Sequence, residues 1–264
     1  MKALPFYTLA AAAAAALGLP GAAHAQTAPG KVSMTLLGGA DFPVSGDVHG
    51  GATAPVPDLG PLNPALAGVD AELRIGSRSY DQIYGTTWNI GAELAYGIRE
   101  NAELFGQFRF QRAGRGTVQV GGAFVPALDT TLDVNGTFDR LSTYAIEVGY
   151  RQFFGSGALK PYVAGRVGAA FTDSINATFV IPDADIAINN APFYKSSTSF
   201  VAGGDLGLSY KLGSSVDLIG EVGLRYTTGL RGDDSAIGGL GLAAINNGGG
   251  RLDVPVRAGL KFHF

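Results

Sequence analysis

One pattern dominates this sequence: runs in which apolar side chains alternate with polar or small ones, a period of two. From Trp88 one face reads Trp88, Ile90, Ala92, Leu94 and Tyr96, and the other reads Asn89, Gly91, Glu93, Ala95 and Gly97. An extended chain sends successive side chains to opposite sides, so this run is a strand with one apolar face. The same alternation sets Leu104, Phe108 and Phe110 against Glu103, Gln107 and Arg109, and Tyr144, Ile146, Val148 and Tyr150 against Thr143, Glu147 and Arg151. It sets Val163, Val167 and Phe171 against Arg166, and Phe200, Leu206, Leu208 and Tyr210 against Asp205 and Lys211. It returns with Val216, Leu218, Val222, Leu224 and Tyr226 against Asp217, Glu221 and Arg225, and with Val254, Val256, Leu260, Phe262 and Phe264 against Arg257, Lys261 and His263. A shorter run, Lys31 to Gly39, brings the expected number of strands to eight.

The connections alternate as regularly as the strands. Ala40 to Gly85, Gly116 to Thr137, Ser174 to Lys195 and Gly229 to Gly250 are long and rich in Gly, Pro, Asn and Asp. Between them lie the tight turns Arg99 to Asn101, Gly155 to Gly157 and Gly213 to Ser215. An up-and-down antiparallel sheet puts all the long connections at one end and all the short turns at the other, with both chain ends at the short-turn end.

Eight such strands close into a barrel in two ways, a soluble carrier with an apolar interior or a membrane barrel with an apolar exterior. Charge decides between them. With only 16% charged residues and 40 glycines, the polar face would make a poor water-facing exterior. Turned inward, its charges fill a lumen that eight strands make just wide enough for side chains. Strand length agrees, because a tilted membrane strand needs about 9 to 11 residues. Aromatics cluster where bilayer interfaces would lie: Trp88, Phe110, Phe171, Phe200 and Tyr226 toward the long connections, and Tyr96, Tyr150, Tyr210, Phe262 and Phe264 toward the short turns. The expected fold class is an all-β, eight-stranded, antiparallel up-and-down transmembrane β-barrel.

The first 25 residues combine Lys2, an apolar stretch from Leu9 to Leu19, a Pro20-Gly21 break and Ala23-His24-Ala25. That is the layout of a secretory signal peptide cut before Gln26. The expected organisation is therefore a signal peptide over 1–25 and a barrel over 26–264. After Gln26 no apolar run is long enough for a transmembrane helix. The absence of cysteine removes disulfides, thiolate zinc sites and Cys nucleophiles. A net charge of −3 without a basic run argues against nucleic acid.

The chain ends on a strand that carries Leu260, Phe262 and Phe264 on one face. This end resembles the C-terminal signal of Gram-negative outer-membrane proteins, which implies recognition by the barrel-assembly machinery. With the leader, the eight strands and the alternating connections, the whole mature chain resembles the OmpA-type transmembrane barrel and its OmpX-like relatives. The resemblance implies an integral place in the cell outer membrane, contact with its lipid and lipopolysaccharide, and both termini in the periplasm. OmpA itself carries a peptidoglycan-binding domain after its barrel; this sequence stops at Phe264, so that anchor is not carried over.

The inward charges are the candidate site. Glu93, Glu147, Asp205 and Glu221 share the lumen face with Arg109, Arg166, Arg225 and Arg257. Charges in a narrow interior are tolerable only when paired and hydrogen-bonded, so the expectation is a lumen filled by ion pairs. The alternative is a narrow, porin-like channel for ions or small solutes. Glu147 lies nine residues before Ser156 and Arg166 ten after it, which brings the two nearly opposite across a tight turn.

Lipid A modification is a further alternative, since some small outer-membrane barrels resembling this one carry it out. It would use a hydroxyl nucleophile, a His base and a carboxylate. The mature chain has His49 and His263; His263 stands at the short-turn end, and His49, Ser45 and Asp47 share one Gly/Pro-rich segment. No catalytic, cofactor-binding or metal residue is assigned. Gly239 to Ala244 matches a dinucleotide fingerprint only loosely, without strand and helix around it. Arg231-Gly232-Asp233 reads as a solvated loop, and Asp183 with Asp185 are too few ligands for calcium. The first long connection, with five prolines and a net acidic balance, is a candidate for contact with a surface ligand.

Overall fold

The computed structural model describes residues 28–264; the expected signal peptide lies outside them. In chain order the strands are β1 (Val32–Ser45), β2 (Asp47–His49), β3 (Ala52–Val56), β4 (Ala71–Ile75), β5 (Arg78–Ser79), β6 (Thr87–Arg99), β7 (Ala102–Arg112) and β8 (Gly116–Val125). They continue with β9 (Thr130–Phe138), β10 (Ser142–Phe153), β11 (Leu159–Thr172), β12 (Ile175–Ile181), β13 (Ile186–Tyr194), β14 (Ser197–Lys211), β15 (Val216–Thr227) and β16 (Arg251–His263). One short helix, α1 (Tyr80–Tyr84), precedes β6.

Eight strands close a barrel in the order β1-β16-β15-β14-β11-β10-β7-β6, antiparallel throughout. The closing seam pairs Ser33 with His263 and continues to Ser45 with Leu252. The sequence expectation that the first strand stops at Gly39 is corrected here. The strand runs on because Asp41 is fully buried on the lumen face while Phe42 points outward, so the alternation continues to a bulge at Pro43. The short turns after β6, β10 and β14 lie at one end, together with Val32 and Phe264, whose N–H donates to the Val32 carbonyl.

The barrel waist is apolar outside. Leu94, Ile146, Val148, Leu206 and Leu224 are among its most exposed side chains, while every charged residue at their depth is buried. No helix among the described residues is long and apolar enough to cross a membrane; this chain crosses with strands. Trp88 packs edge-on against Phe110 and Phe110 against Tyr144 at the long-connection end, and Tyr96, Tyr150, Tyr210 and Phe264 are exposed at the other. Phe262 departs from that second belt: it shares their outward parity but is buried between its cross-strand partners Met34 and Val216.

Glycine is abundant partly because bulky lumen residues need somewhere to lie. A Cβ at Gly149 would stand 2.3 Å from the Phe105 ring, and one at Gly207 would stand 2.1 Å from Tyr162. Each aromatic ring therefore lies flat on a neighbouring strand only because that strand has no side chain there.

The long connections depart most from the sequence reading, which expects irregular loops. Six of their strands pair into a second antiparallel sheet, β13-β12-β9-β8-β4-β3, and β2 pairs with β5. This cap continues the barrel wall, since Ala113 N–H donates to Leu141 and Asp139 N–H to Asn176. Its chemistry is inverted. Ile175, Ala177 and Ile181 of β12, Val120 of β8 and Val134 and Phe138 of β9 point inward into an apolar core, and Thr117, Gln119 and Asp133 face water. The interior thus changes from charged to apolar where the exterior changes from apolar to polar. The switch costs one residue of phase. Inward Thr172 is followed by inward Ile175, three residues on, and Phe138 by Leu141.

Candidate functional site

The charged lumen is built in tiers. Nearest the short turns, Arg151 makes a two-pronged contact to Glu93 at 2.7 and 2.9 Å and also bonds Glu103. Lys261 reaches Glu103 at 2.5 Å. The Arg151 guanidinium lies 4.8 Å over Phe105 and 4.9 Å over Tyr162, so the cation is sandwiched by aromatic faces as well as paired.

The middle tier holds four arginines and four carboxylates. Arg166 lies 2.6 Å from Asp205 and 3.6 Å from Glu147 and from Glu221. Arg225 lies 3.3 Å from Asp205 and 3.8 Å from Glu147. Arg109 reaches Asp41 at 3.2 Å and Glu147 at 3.5 Å, and Arg257 pairs with Glu221. Tyr162 donates its hydroxyl to Glu221 at 2.7 Å, while Gln107 accepts from Arg166 and from Arg257. In the top tier Arg251 pairs with Asp253 at 3.1 Å and donates to Gln111 at 2.7 Å. Tyr80 of α1 sits 5.2 Å over Arg251, so the helix caps this stack. A reciprocal capping box between Ser79 and Gln82 fixes the start of α1.

All eight lumen residues singled out from sequence are buried here, with a refinement. Glu147 is shared by three arginines rather than paired with Arg166 alone. The sequence reading named Glu103, Arg151 and Lys261 as polar-face residues without giving them a part in the network, and it missed Asp41, Arg251 and Asp253. Asp41 lies beyond Gly39, where the sequence pattern ends the first strand; Arg251 and Asp253 lie at the start of β16, beside the Gly-rich run 248–250 that reads as a turn. With these included, the buried carboxylates Asp41, Glu93, Glu103, Glu147, Asp205, Glu221 and Asp253 match Arg109, Arg151, Arg166, Arg225, Arg251, Arg257 and Lys261 one for one. The lumen is electrically balanced.

The remaining candidates are dispersed. His263 contacts Asp217 at 3.1 Å near the short turns. His49 is buried in the cap, stacked 5.7 Å from Phe138, with Nδ1 3.0 Å from the Gly50 carbonyl. Burial in apolar surroundings holds its imidazolium form down, below the usual histidine range. Ser45 and Asp47 are exposed beside it. Asp183 and Asp185 stand exposed at the tip of the β12–β13 hairpin. Leu240 and Leu242 of the glycine-rich segment pack on the cap core. Arg231-Gly232-Asp233 is not a free loop: Lys195 N–H donates to Arg231, Asp233 N–H to Phe193, and Gly232 bridges to Tyr194, so it lies along β13.

No protein-family model and no curated protein matches the sequence. Among solved structures, Neisserial surface protein A (NspA) is similar at 15% identity over 88% of this chain and 97% of that one, with a TM-score of 0.38. The outer membrane protease OmpT from Escherichia coli is similar at 10% identity over 89% and 97%, with a TM-score of 0.45. Ail, the attachment invasion locus protein of Yersinia pestis, in complex with the heparin analogue sucrose octasulfate, is similar at 10% identity over 89% and 99%, with a TM-score of 0.37. No residue role passes from these proteins to this chain. What the chain's own geometry carries is its architecture: eight antiparallel strands closed around a charged interior inside an apolar waist, which is the fold of an up-and-down transmembrane β-barrel.

Proposed function

We propose that this chain is an outer-membrane protein with a structural and surface-interaction role, in which the barrel is a closed pedestal and the cap is the working part. The carrying observation is the balanced lumen: seven buried acids against seven buried bases, held in side-chain contact across the barrel. A selective pore needs a ring of unneutralised charge or dipoles, and the pairing of acids with bases in this interior argues against one. The cap supports the same reading, because all four long connections contribute to one apolar core and so present a shaped surface. That surface is the candidate for contact with lipopolysaccharide or another ligand outside the cell.

In this proposal residues 1–25 are a cleaved signal peptide, both termini are periplasmic, and Leu260, Phe262 and Phe264 form the signal read by the barrel-assembly machinery. A lipid A-modifying role is disfavoured by the burial of His49 in the apolar cap core while Ser45 and Asp47 are exposed, with no hydrogen bond joining the three. A narrow channel is the direct rival. Planar-bilayer recording of the refolded protein separates the two: the pedestal predicts a silent membrane, and steady unitary conductance that survives removal of the cap connections would establish the channel instead.

A further inference from the structure

The cap core is not completely filled. Between its sheet and the fourth long connection lies a cavity of about 60 Å³ whose surface is apolar throughout. Val134, Ile181, Ile237 and Ile245 are among its walls. His49 is the one lining residue with a polar side chain; its Nδ1 is engaged by the Gly50 carbonyl, and its Nε2, which has no hydrogen-bond partner, presents no polar surface to the cavity. Folded interiors close-pack and tolerate few voids, and a cavity without polar partners excludes water and instead takes up apolar guests. The volume is that of about two molecules of liquid water, which suits two or three carbon atoms.

Leu62, Phe179, Ile188 and Leu240 line this cavity and are also half-exposed to solvent. The wall is therefore one side chain thick at those points, and neither Leu62, on an irregular segment, nor Leu240, at the end of a single 3-10 turn, belongs to the sheet. Below the cavity the barrel interior carries buried ion pairs, which offer an apolar guest no favourable path, so a guest enters from the outer side.

We infer that this cap cavity is a binding site for a small hydrocarbon group, either a free volatile hydrocarbon or the last carbons of an aliphatic chain that enters past Leu62 and Leu240. The site holds its guest and does not pass it on. The inference is independent of whether the cap also docks a larger partner.

The test uses the full-length barrel in lipid nanodiscs with 13C-labelled isoleucine methyls, exposed in turn to xenon, propane and octanoate. The expected result is a saturable shift at Ile181, Ile237 and Ile245 with xenon and propane, while Ile146 on the lipid face shifts only in proportion to guest concentration. Saturation by octanoate as well identifies a chain end as a guest; saturation by propane alone restricts the site to free hydrocarbons. Val134→Phe should fill the void and weaken half-saturation at least tenfold. Leu240→Ala, which thins the wall without filling the void, should keep the affinity within about threefold and speed exchange, and it serves as the control if Val134→Phe misfolds. Non-saturable shifts at every methyl, or no shift at the cap methyls, would overturn the inference.

Discussion

Arg166 Nη2 stands 2.6 Å from Asp205 Oδ2 on one neighbouring strand of the barrel, and its Nη1 stands 3.6 Å from Glu147 Oε2 on the other. One guanidinium thus ties β10, β11 and β14 together, with Asp205 as its tighter partner. Removing one member of a buried pair leaves the other charge uncompensated, so Arg166→Met should cost about 3 to 5 kcal/mol. A double-mutant cycle should give coupling of roughly 0.5 to 3 kcal/mol between Arg166→Met and Asp205→Asn. The coupling with Glu147→Gln should be smaller, because Arg109 and Arg225 also hold Glu147. Urea-driven unfolding from lipid vesicles measures both cycles. Additivity in both would mean that the lumen charges are hydrated separately.

Leu206 is 63% exposed on the barrel waist. Leu206→Arg should destabilise the inserted barrel by about 2 to 4 kcal/mol if this position lies near the bilayer midplane. An unchanged unfolding curve in the same vesicles would put that face in water.

Cysteine labelling reads the topology. Single cysteines replacing Asp58, Asp129, Asp185 or Ser235, all exposed in the cap, should react with a membrane-impermeant maleimide on intact cells. Cysteines at Ser156 or Ser214, in the short turns, should react only after the outer membrane is opened. Ala123 lies in the same long connection as Asp129 but is only 1% exposed, so Ala123→Cys should stay unlabelled in both cases. Labelling of Ser156→Cys on intact cells would reverse the orientation.

Phe138 is fully buried where His49, Phe179 and Phe193 meet. Phe138→Ala should cost about 3 to 5 kcal/mol of packing, and the loss should fall on the cap. Hydrogen exchange should rise across β8, β9, β12 and β13 while the barrel strands stay protected. Uniform exchange in both parts would show that cap and barrel melt as one unit.

Burial also makes the cap sensitive to acid. Desolvation lowers the His49 pKa below its ordinary value of 6.5, with the nearby Arg78 acting in the same sense and Asp47 against it. In that window the unfolded cap binds more protons than the folded one, so stability is full above about pH 6.5 and falls as the pH drops toward the folded-state pKa. Cap-specific protease resistance should decline across that range, and His49→Gln should flatten the decline. An identical slope in His49→Gln would assign it to other groups.

The sequence by itself determined the barrel. A period of two is enough to assign an inward and an outward face, and the charged set Glu93, Glu147, Arg166 and Asp205 can occupy only the enclosed one when the other set is Leu, Val, Ile and Tyr. Alternating long and short connections then fix the up-and-down order. Partner choice was legible only in part: Arg166 does reach Glu147, at 3.6 Å, but its tighter partner is Asp205 at 2.6 Å, because the register decides which side chains converge across the lumen.

The cap was decided by tertiary structure alone. Val118, Val120, Ile175, Phe179, Ile186 and Ile188 do alternate in the sequence, but Gly, Pro and Asp between them read locally as loop. Gly121 shows why that reading failed: a Cβ there would lie 2.2 Å from the Arg74 carbonyl oxygen, so the glycine marks two paired strands in close approach. Each of these hairpins is too short to hold a sheet by itself. They become strands because the barrel beneath sets their ends side by side, and four separate segments can then bury one shared apolar core.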